Sequence, residues 1–169
     1  EIYNLREKIR FEKINLRTSN HKKNILKNIY LNIPKNKTIA LVGPSGAGKS
    51  TILDLLTLNK IPSSGNIFID EINSKKINKK YWRNLIGFVQ QENIIFDCTI
   101  EQNITMDFEN KKESKITRRE MIIAAKYANI HEYIQTLPNG YLTRVGDKGT
   151  KLSGGQRQRI CLARELYRK

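Results

Sequence analysis

A glycine-rich segment in the first third of the chain has the residue types and the spacing that hold a polyphosphate. It follows the pattern G-x-x-x-x-G-K-[ST]. Because glycine has no Cβ, the backbone of such a loop can curve until several N–H groups point at one phosphate. We expect Lys49 to reach the β- and γ-phosphates and the Ser50 hydroxyl to bind Mg²⁺. The predicted Mg-ATP site consists of Gly43, Pro44, Ser45, Gly46, Ala47, Gly48, Lys49, Ser50 and Thr51.

A second pair of glycines lies directly before the last helical segment, in the sequence Leu152–Gln156. Ser153 has the residue type of a helix N-cap, and a helix that starts there would point its N–H groups outwards, towards an anion. Taken alone, the motif would favour an ordinary serine-capped helix with a glycine-rich start. One nucleotide has a single γ-phosphate, however, so two anion sites in one chain suggest that they serve different nucleotides.

The two glycine motifs, in this order, resemble those of the ATP-binding cassette (ABC) family. Between them, Ile86–Glu92 is similar to the Q-loop of the family, with Gln91 at the position of its glutamine. The resemblance covers nearly the whole chain, and the combination of phosphate loop, Q-loop and signature motif is specific. Four further segments resemble exporter-type members, namely Phe11–Leu16, Phe96–Ile104, Leu137–Tyr141 and Val145–Gly149.

The resemblance implies a fold and an assembly. The fold is α/β: a P-loop NTPase core of the ABC ATPase type, with an antiparallel β subdomain and a helical signature subdomain. It would cover residues 9–169, after a linker of residues 1–8. Two such domains form a head-to-tail dimer with two-fold symmetry, and ATP lies between the phosphate loop of one and the signature of the other. The residues implied to contact ATP of the second domain are Ser153, Gly154, Gly155 and Gln156.

The resemblance also implies catalytic residues and a function. Lys49 and Gln91 take the catalytic roles, and Gln91 joins Ser50 in contacting Mg²⁺ or touches the attacking water. The implied function is the motor domain of an exporter, held at the cytosolic face of a membrane by a transmembrane domain outside this chain. The alternatives are an ABC-type ATPase that acts on nucleic acid and an inactive regulatory cassette. The exporter-type segments favour the transporter, for which no nucleic acid partner is expected, and they do not indicate its cargo.

The sequence departs from the family pattern at several positions. Thr18 stands where the family has an adenine-stacking aromatic residue, so that His21 or a neighbouring chain compensates or adenine is held loosely. Asp147 stands where exporters usually have Glu. The family's Walker B strand, catalytic Glu and switch His follow the signature helix, whereas the sequence ends at Lys169. We therefore expect this chain by itself to bind ATP weakly, to hydrolyse little of it and to be marginally stable. The acidic pair Asp70–Glu71 imitates Walker B but comes before the Q-loop, where the family has an edge hairpin.

The candidate site needs strands and helices that position it. The predicted strands are Ile9–Leu16, Ile25–Ile33, Thr38–Val42, Asn66–Asp70 and Leu85–Val89. The predicted helices are Ser50–Leu58, Met121–Asn129 behind a capping box at Thr117–Glu120, a shorter helix through Ile134, and one after Ser153. A strand, a glycine loop and a helix in this order are the layout of an α/β nucleotide-binding core. The alternative interpretation, a glycine turn with an exposed lysine, would need neither the strand before the loop nor the helix after it.

The composition narrows the functional classes. The net charge of +15 is large, but the basic residues are spread along the chain among many Asn and Ile residues. This favours a compositional bias over a binding patch for nucleic acid or acidic lipid. Cys98 and Cys161 are far apart and match no metal-binding spacing, which is typical of a reducing compartment. No apolar run approaches the roughly 20 residues of a membrane-spanning helix, so we expect membrane attachment to come from elsewhere.

Overall fold

The computed structural model describes residues 4–17, 24–108 and 115–168. It divides into two compact units, one up to Ile86 and one from Gly87 onwards, each with its own hydrophobic core. The first unit contains β1 (Lys8–Arg17), β2 (Asn24–Pro34), α1 (Lys49–Leu56), β3 (Ser64–Ile69), β4 (Ile72–Asn73) and α2 (Lys79–Asn84). The second contains α3 (Ile100–Thr105), α4 (Lys115–Tyr127), α5 (His131–Thr136) and α6 (Gly154–Tyr167).

The first unit is built on an antiparallel sheet with the strand order β2-β1-β3-β4. Phe11 and Ile14 of β1 are both buried, although their odd spacing would put them on opposite faces of a regular strand. The register shifts between these two residues, and Lys13 takes a φ of 50°. This bulge returns Ile14 to the core face. Gly65 lies against the bulge so closely that a Cβ there would come 2.4 Å from the Lys13 carbonyl oxygen.

Helix α1, which follows the phosphate loop, is held against this sheet and at its C-terminal end. Leu55 is fully buried in the same cluster as the core residues of β1. The indole N–H of Trp82 donates to the carbonyl of Leu56 at 2.8 Å, and the Arg83 guanidinium donates to the carbonyls of residues 57 and 58 at 3.3 and 3.1 Å. Helix α2, which the sequence did not predict, therefore satisfies carbonyl groups that the end of α1 leaves open. The C-terminal end of α1 is thereby held by α2.

Two of the predicted strands are wrong for this structure. Residues Thr38–Val42 and Ile86–Val89 have no regular secondary structure, and Leu85 lies in a turn. Val42 is 92% exposed, which contradicts its prediction as part of a core strand. A strand is defined by the hydrogen bonds to its neighbours, and the four strands of the described residues pair only with one another. An apolar run with no neighbour to pair with stays irregular.

The second unit is helical. Its core residues come from all four helices and the loops between them, and include Ile100, Ile104, Met121, Ala125, Ile134 and Ile160. Helix α4 begins at Lys115, so the predicted capping box at Thr117–Glu120 is wrong, because the helix extends upstream of it. The predicted start of the last helix after Ser153 is confirmed. Within the described part of the chain, no helix has the length and apolar composition to cross a bilayer.

Candidate nucleotide-binding site

The phosphate loop, Gly43–Ser50, depends on glycine at two positions. Gly46 and Gly48 have φ angles of 79° and 88°, in the left-handed region where a side chain is strained. Gly48 is also buried, and a Cβ there would come 2.7 Å from Leu26 Cδ2. By contrast, a Cβ at Gly46 would meet nothing within 4 Å. The turn at Gly48 is therefore required both by its backbone angle and by its packing on β2.

Helix α1 begins at Lys49 without a cap of its own. Gly48 is its N-cap residue and offers no side-chain hydrogen bond, and the first turn contains no acidic residue. The first N–H groups of a helix have no carbonyl partner within that helix, and they carry the positive end of the helix dipole. Ser45 and Ser50 are exposed beside this helix start. An anion that approaches the loop would therefore meet N–H groups that need a partner.

The Lys49 side chain is folded back over the loop. Its Nζ donates to the carbonyl oxygens of Gly43 and Pro44 at 2.8 and 2.7 Å. An ammonium group has three N–H donors, so one donor remains for a phosphate oxygen. The charge is thus positioned by the loop itself and does not have to be ordered by the ligand. The residues from Gly43 to Thr51 form one continuous loop and helix start, and their binding of Mg-ATP stays a prediction.

The signature segment, Leu152–Gln156, begins α6 with a complete capping box. The Ser153 hydroxyl accepts from the Gln156 N–H at 3.3 Å, and the Gln156 Oε1 accepts from the Ser153 N–H at 2.7 Å. The side chain of Gln156 is therefore partly used within its own chain. Gly154 and Gly155 have helical backbone angles, and a Cβ on Gly155 would meet nothing within 4 Å. The fold does not require glycine at Gly155, and the exposed surface there is left bare.

An arginine supports the start of α6 from inside the second unit. Arg157 donates to the carbonyl of Leu152 at 2.6 Å and to that of Gly149 at 3.4 Å. Gly149 has a φ of 69°, and a Cβ on it would come 2.9 Å from Ile95. The segment Val145–Gly149 is therefore fastened to the signature helix. The sequence did not indicate this role of Arg157, because its partners are backbone carbonyl groups, which every residue type has.

The remaining predicted residues lie in several places. Gln91 lies in an exposed bend of the second unit, whereas the phosphate loop belongs to the first. Thr18 and His21 are outside the described residues. His131, which is not a predicted site residue, begins α5, and its Nδ1 lies 2.8 Å from the hydroxyl oxygen of Tyr141. Burial, with a smaller effect of Glu132, raises the pKa of Tyr141 to about 12, so this hydroxyl stays protonated at neutral pH.

The acidic pair Asp70–Glu71, which resembles a Walker B motif in sequence, includes a carboxylate with a structural role. The Asp70 carboxylate accepts from the backbone N–H groups of Arg6, Glu7 and Lys8 at 2.7 to 3.0 Å. Desolvation raises the pKa of Asp70, but the three N–H groups together outweigh it and hold this pKa below its ordinary value. Asp70 follows β3 in the turn to β4, which agrees with the predicted edge hairpin. Its carboxylate fastens the chain that leads into β1.

The two cysteines show no sign of reactivity. Both thiols are buried, and burial is the main cause that raises the pKa of Cys98 and of Cys161. A raised pKa keeps a thiol protonated and inert. No group of three or more His, Cys, Asp or Glu residues within the described ranges is arranged to hold a metal ion.

Comparison with known proteins agrees with this geometry. The profile of the ABC transporter family matches residues 26–169. The chain is 48% identical over 144 residues to multidrug resistance protein pgp-1 of Caenorhabditis elegans, covering 85% of this chain and 10% of that protein. It is 40% identical over 167 residues to ABC transporter B family member 13 of Arabidopsis thaliana, covering 99% of this chain and 13% of that protein. The chain thus spans about a tenth of the length of these relatives.

A solved structure extends the similarity to three dimensions. A bacterial Atm1-family ABC exporter with ATP bound is 35% identical to the chain, with a TM-score of 0.86 over 100% of this chain and 29% of that one. The α/β fold class of the P-loop NTPases, predicted from the glycine motifs, is thereby confirmed. The family profile matches most residues of the chain, and the relatives are similar in sequence over most of its length. The chain therefore belongs to the ABC transporter family.

Proposed function

We propose that this chain is the ATP-binding motor domain of an exporter, which couples the binding and hydrolysis of ATP to transport across a membrane. The observation that carries the proposal is the phosphate loop. The Lys49 ammonium is positioned over the loop by two carbonyl groups, beside a helix start that has no cap of its own. Relatives named multidrug resistance proteins and an ATP-bound exporter of similar structure support the same function.

The residues of the loop fit a triphosphate bound with Mg²⁺. The N–H groups at the start of α1 would donate to phosphate oxygens, and the remaining Lys49 donor would add a charge-assisted hydrogen bond. The exposed Ser50 hydroxyl, next in sequence, has the chemistry of a Mg²⁺ ligand. Mg²⁺ supplies neutralisation of the charge on the phosphate oxygens. We assign Gln91 to the same ion or to the attacking water, on the order of the motifs along the chain.

We further propose that two such domains form a head-to-tail dimer. Ser153, Gly154, Gly155 and Gln156 of one domain would then contact the triphosphate held by Lys49 of the other. The bare surface at Gly155 supports this, because a close approach from outside is the remaining reason for glycine at a helical position with open space around it. A transmembrane domain outside this chain would hold the dimer at the cytosolic face of the membrane.

Substitution of Lys49 tests the proposed site. We expect Lys49→Ala to weaken the binding of Mg-ATP by about 10- to 100-fold, because it removes a charge-assisted hydrogen bond to the phosphates. Binding is measured by titration calorimetry, with thermal unfolding as the check that the variant is folded. The matched control is Lys37→Ala, which removes an exposed lysine outside the loop and should bind as the unsubstituted chain does. Equal affinity of all three proteins would remove the phosphate loop from the proposed function.

A further inference from the structure

The first unit contains a cavity of about 180 Å³, lined by the residues after α1, by β3 and by the start of α2. Its apolar walls come from Leu58, Ile61, Pro62 and Ile67. Leu58 and Ile67 are buried in the unit, whereas Ile61 is 61% exposed. An apolar cavity of about 150 Å³ is enough to bind one benzene ring. The space therefore suits an apolar group of about that size.

Ser74 adds one polar group to this cavity. The residue lines the cavity and is only 8% exposed. Its carbonyl accepts from the Ile77 N–H at 3.2 Å, whereas its hydroxyl takes part in no hydrogen bond within the described ranges of the chain. Polar side chains in a protein interior are normally hydrogen-bonded, because a buried hydroxyl without a partner is costly. The Ser74 hydroxyl is therefore available to a ligand that enters the cavity.

The same cavity is lined by three exposed lysines, Lys60, Lys75 and Lys79. The Lys60 ammonium is already paired with the Asp54 carboxylate at 2.7 Å. Lys75 and Lys79 form no ion pair with any residue that the structure describes, and no acidic residue is among the described residues that line the cavity. The charge beside the apolar walls is therefore positive and not neutralised, which favours an anion.

We propose that this cavity binds a small organic anion whose apolar part is about the size of one aromatic ring. The ring would lie against Leu58 and Ile67, the Ser74 hydroxyl would donate to a polar atom of the ligand, and Lys75 and Lys79 would attract its negative group. Apolar walls beside unpaired lysines favour such a molecule over a bare inorganic anion. None of the lining residues belongs to the phosphate loop or to the signature segment, so the proposal does not rest on the proposed function.

Titration of the isotope-labelled chain with phenylacetate, followed by the amide NMR signals, tests the proposal. Phenylacetate has one ring and one carboxylate, and a ligand of this size should bind with a dissociation constant on the order of a few millimolar. The shifts should be largest at residues 58–79, and Mg-ATP should not displace the ligand. Phenylacetamide has the same shape without the charge and should bind about fivefold more weakly. Acetate has no ring and should bind at least about tenfold more weakly.

Two double variants test the lysines at equal net charge. Lys75→Gln with Lys79→Gln removes the two unpaired charges that line the cavity. Lys76→Gln with Lys80→Gln is the matched control, because these lysines are next in sequence and exposed but do not line it. The first variant should bind phenylacetate about fivefold more weakly, whereas the control should bind it as the unsubstituted chain does. Phenylacetamide should bind equally to all three proteins.

Substitution of Ser74 tests the cavity itself. Ser74→Val removes the hydroxyl and fills part of the space, so it should weaken phenylacetate binding at least about tenfold. Thermal unfolding checks that the variant is folded, and if it is not, Ser74→Ala, which removes only the hydroxyl, should weaken binding about fivefold.

Several results would overturn the proposal. They are the absence of saturable shifts, shifts centred on residues 43–51, equal affinities for phenylacetate and phenylacetamide, equal losses in both double variants, and full affinity of the folded Ser74 variant. None of these results bears on the proposed motor function, which the Lys49 substitution tests separately.

Discussion

The two glycine motifs of this chain both start a helix, yet they use glycine for different reasons. At Gly48 the backbone is left-handed and the position is buried against Leu26, so the fold itself requires glycine. At Gly155 the backbone is helical and the surroundings are open, so the fold would accept a side chain. The first helix start has no cap, whereas the second is capped by Ser153 and Gln156.

This difference is the one expected if the two motifs serve as the two kinds of anion site that we propose. The uncapped start of α1 leaves its N–H groups in need of a partner and holds Lys49 over them, so most of the site is formed within one unit. The start of the signature helix makes its own capping hydrogen bonds and has open space at Gly155. In the dimer that we propose, a second molecule would complete this site. The comparison can be tested by exchanging glycine for alanine at one position in each motif.

The largest effect is expected for Gly48→Ala. A left-handed backbone angle with a side chain and a contact of 2.7 Å to Leu26 should together lower the free energy of unfolding by about 2 to 4 kcal/mol. Binding of Mg-ATP should be lost with the turn. Urea unfolding measures the first change and calorimetric titration the second. A variant as stable as the unsubstituted chain would show that the Gly48 turn is not required by packing.

A smaller effect is expected for Asp70→Asn. The anion here is the Asp70 carboxylate, which accepts hydrogen bonds from three backbone N–H groups of the same chain. At neutral pH the substitution should lower the free energy of unfolding by about 1 kcal/mol, since the hydrogen bonds lose their charge. The pKa of Asp70 in the folded chain lies below its ordinary value of 3.8. The stability that this carboxylate contributes is therefore present above that value and is lost as the pH falls through it towards the folded pKa.

Denaturant unfolding of both proteins between pH 7 and pH 2.5 measures this dependence. The two curves of stability against pH should begin to converge as the pH falls below about 4 and should meet only below the lowered pKa of the folded chain, because protonation then removes the charge in the unsubstituted chain as well. A constant difference over the whole range would mean that the carboxylate charge is not what holds the three N–H groups.

The smallest effect is expected for Gly155→Ala. Alanine favours a helix more than glycine does and meets no neighbour here, so stability should rise by about 0.5 kcal/mol. The binding of Mg-ATP to the chain's own phosphate loop should stay the same. Thermal unfolding and calorimetry on the same samples check both statements. A marked loss of stability would mean that Gly155 serves the fold, and the contrast with Gly48 would disappear.

Local features of the site were open to prediction from the sequence. The turns of the phosphate loop follow from glycine at fixed offsets from Lys49, and the start of α6 follows from a serine N-cap. These features depend on backbone angles and hydrogen bonds between residues a few positions apart, which residue types report directly. Strand β2 could be predicted for a similar reason, because a strand with one face towards the core has an alternating pattern, here Ile29, Leu31 and Ile33.

Other features were decided only by tertiary structure. The apolar run Thr38–Val42 has the composition of a strand, but pairing with a neighbour determines whether a strand forms. Trp82 and Arg83 fasten the end of α1, and Asn103 and Arg164 fasten the segment after Gln91, through backbone carbonyl groups distant in sequence. Every residue has the same backbone carbonyl group. The sequence therefore does not indicate which carbonyl group accepts a hydrogen bond from a given arginine. The sequence by itself thus determined the chemistry available to bind a phosphate, while long-range hydrogen bonds decided how that chemistry is held in place.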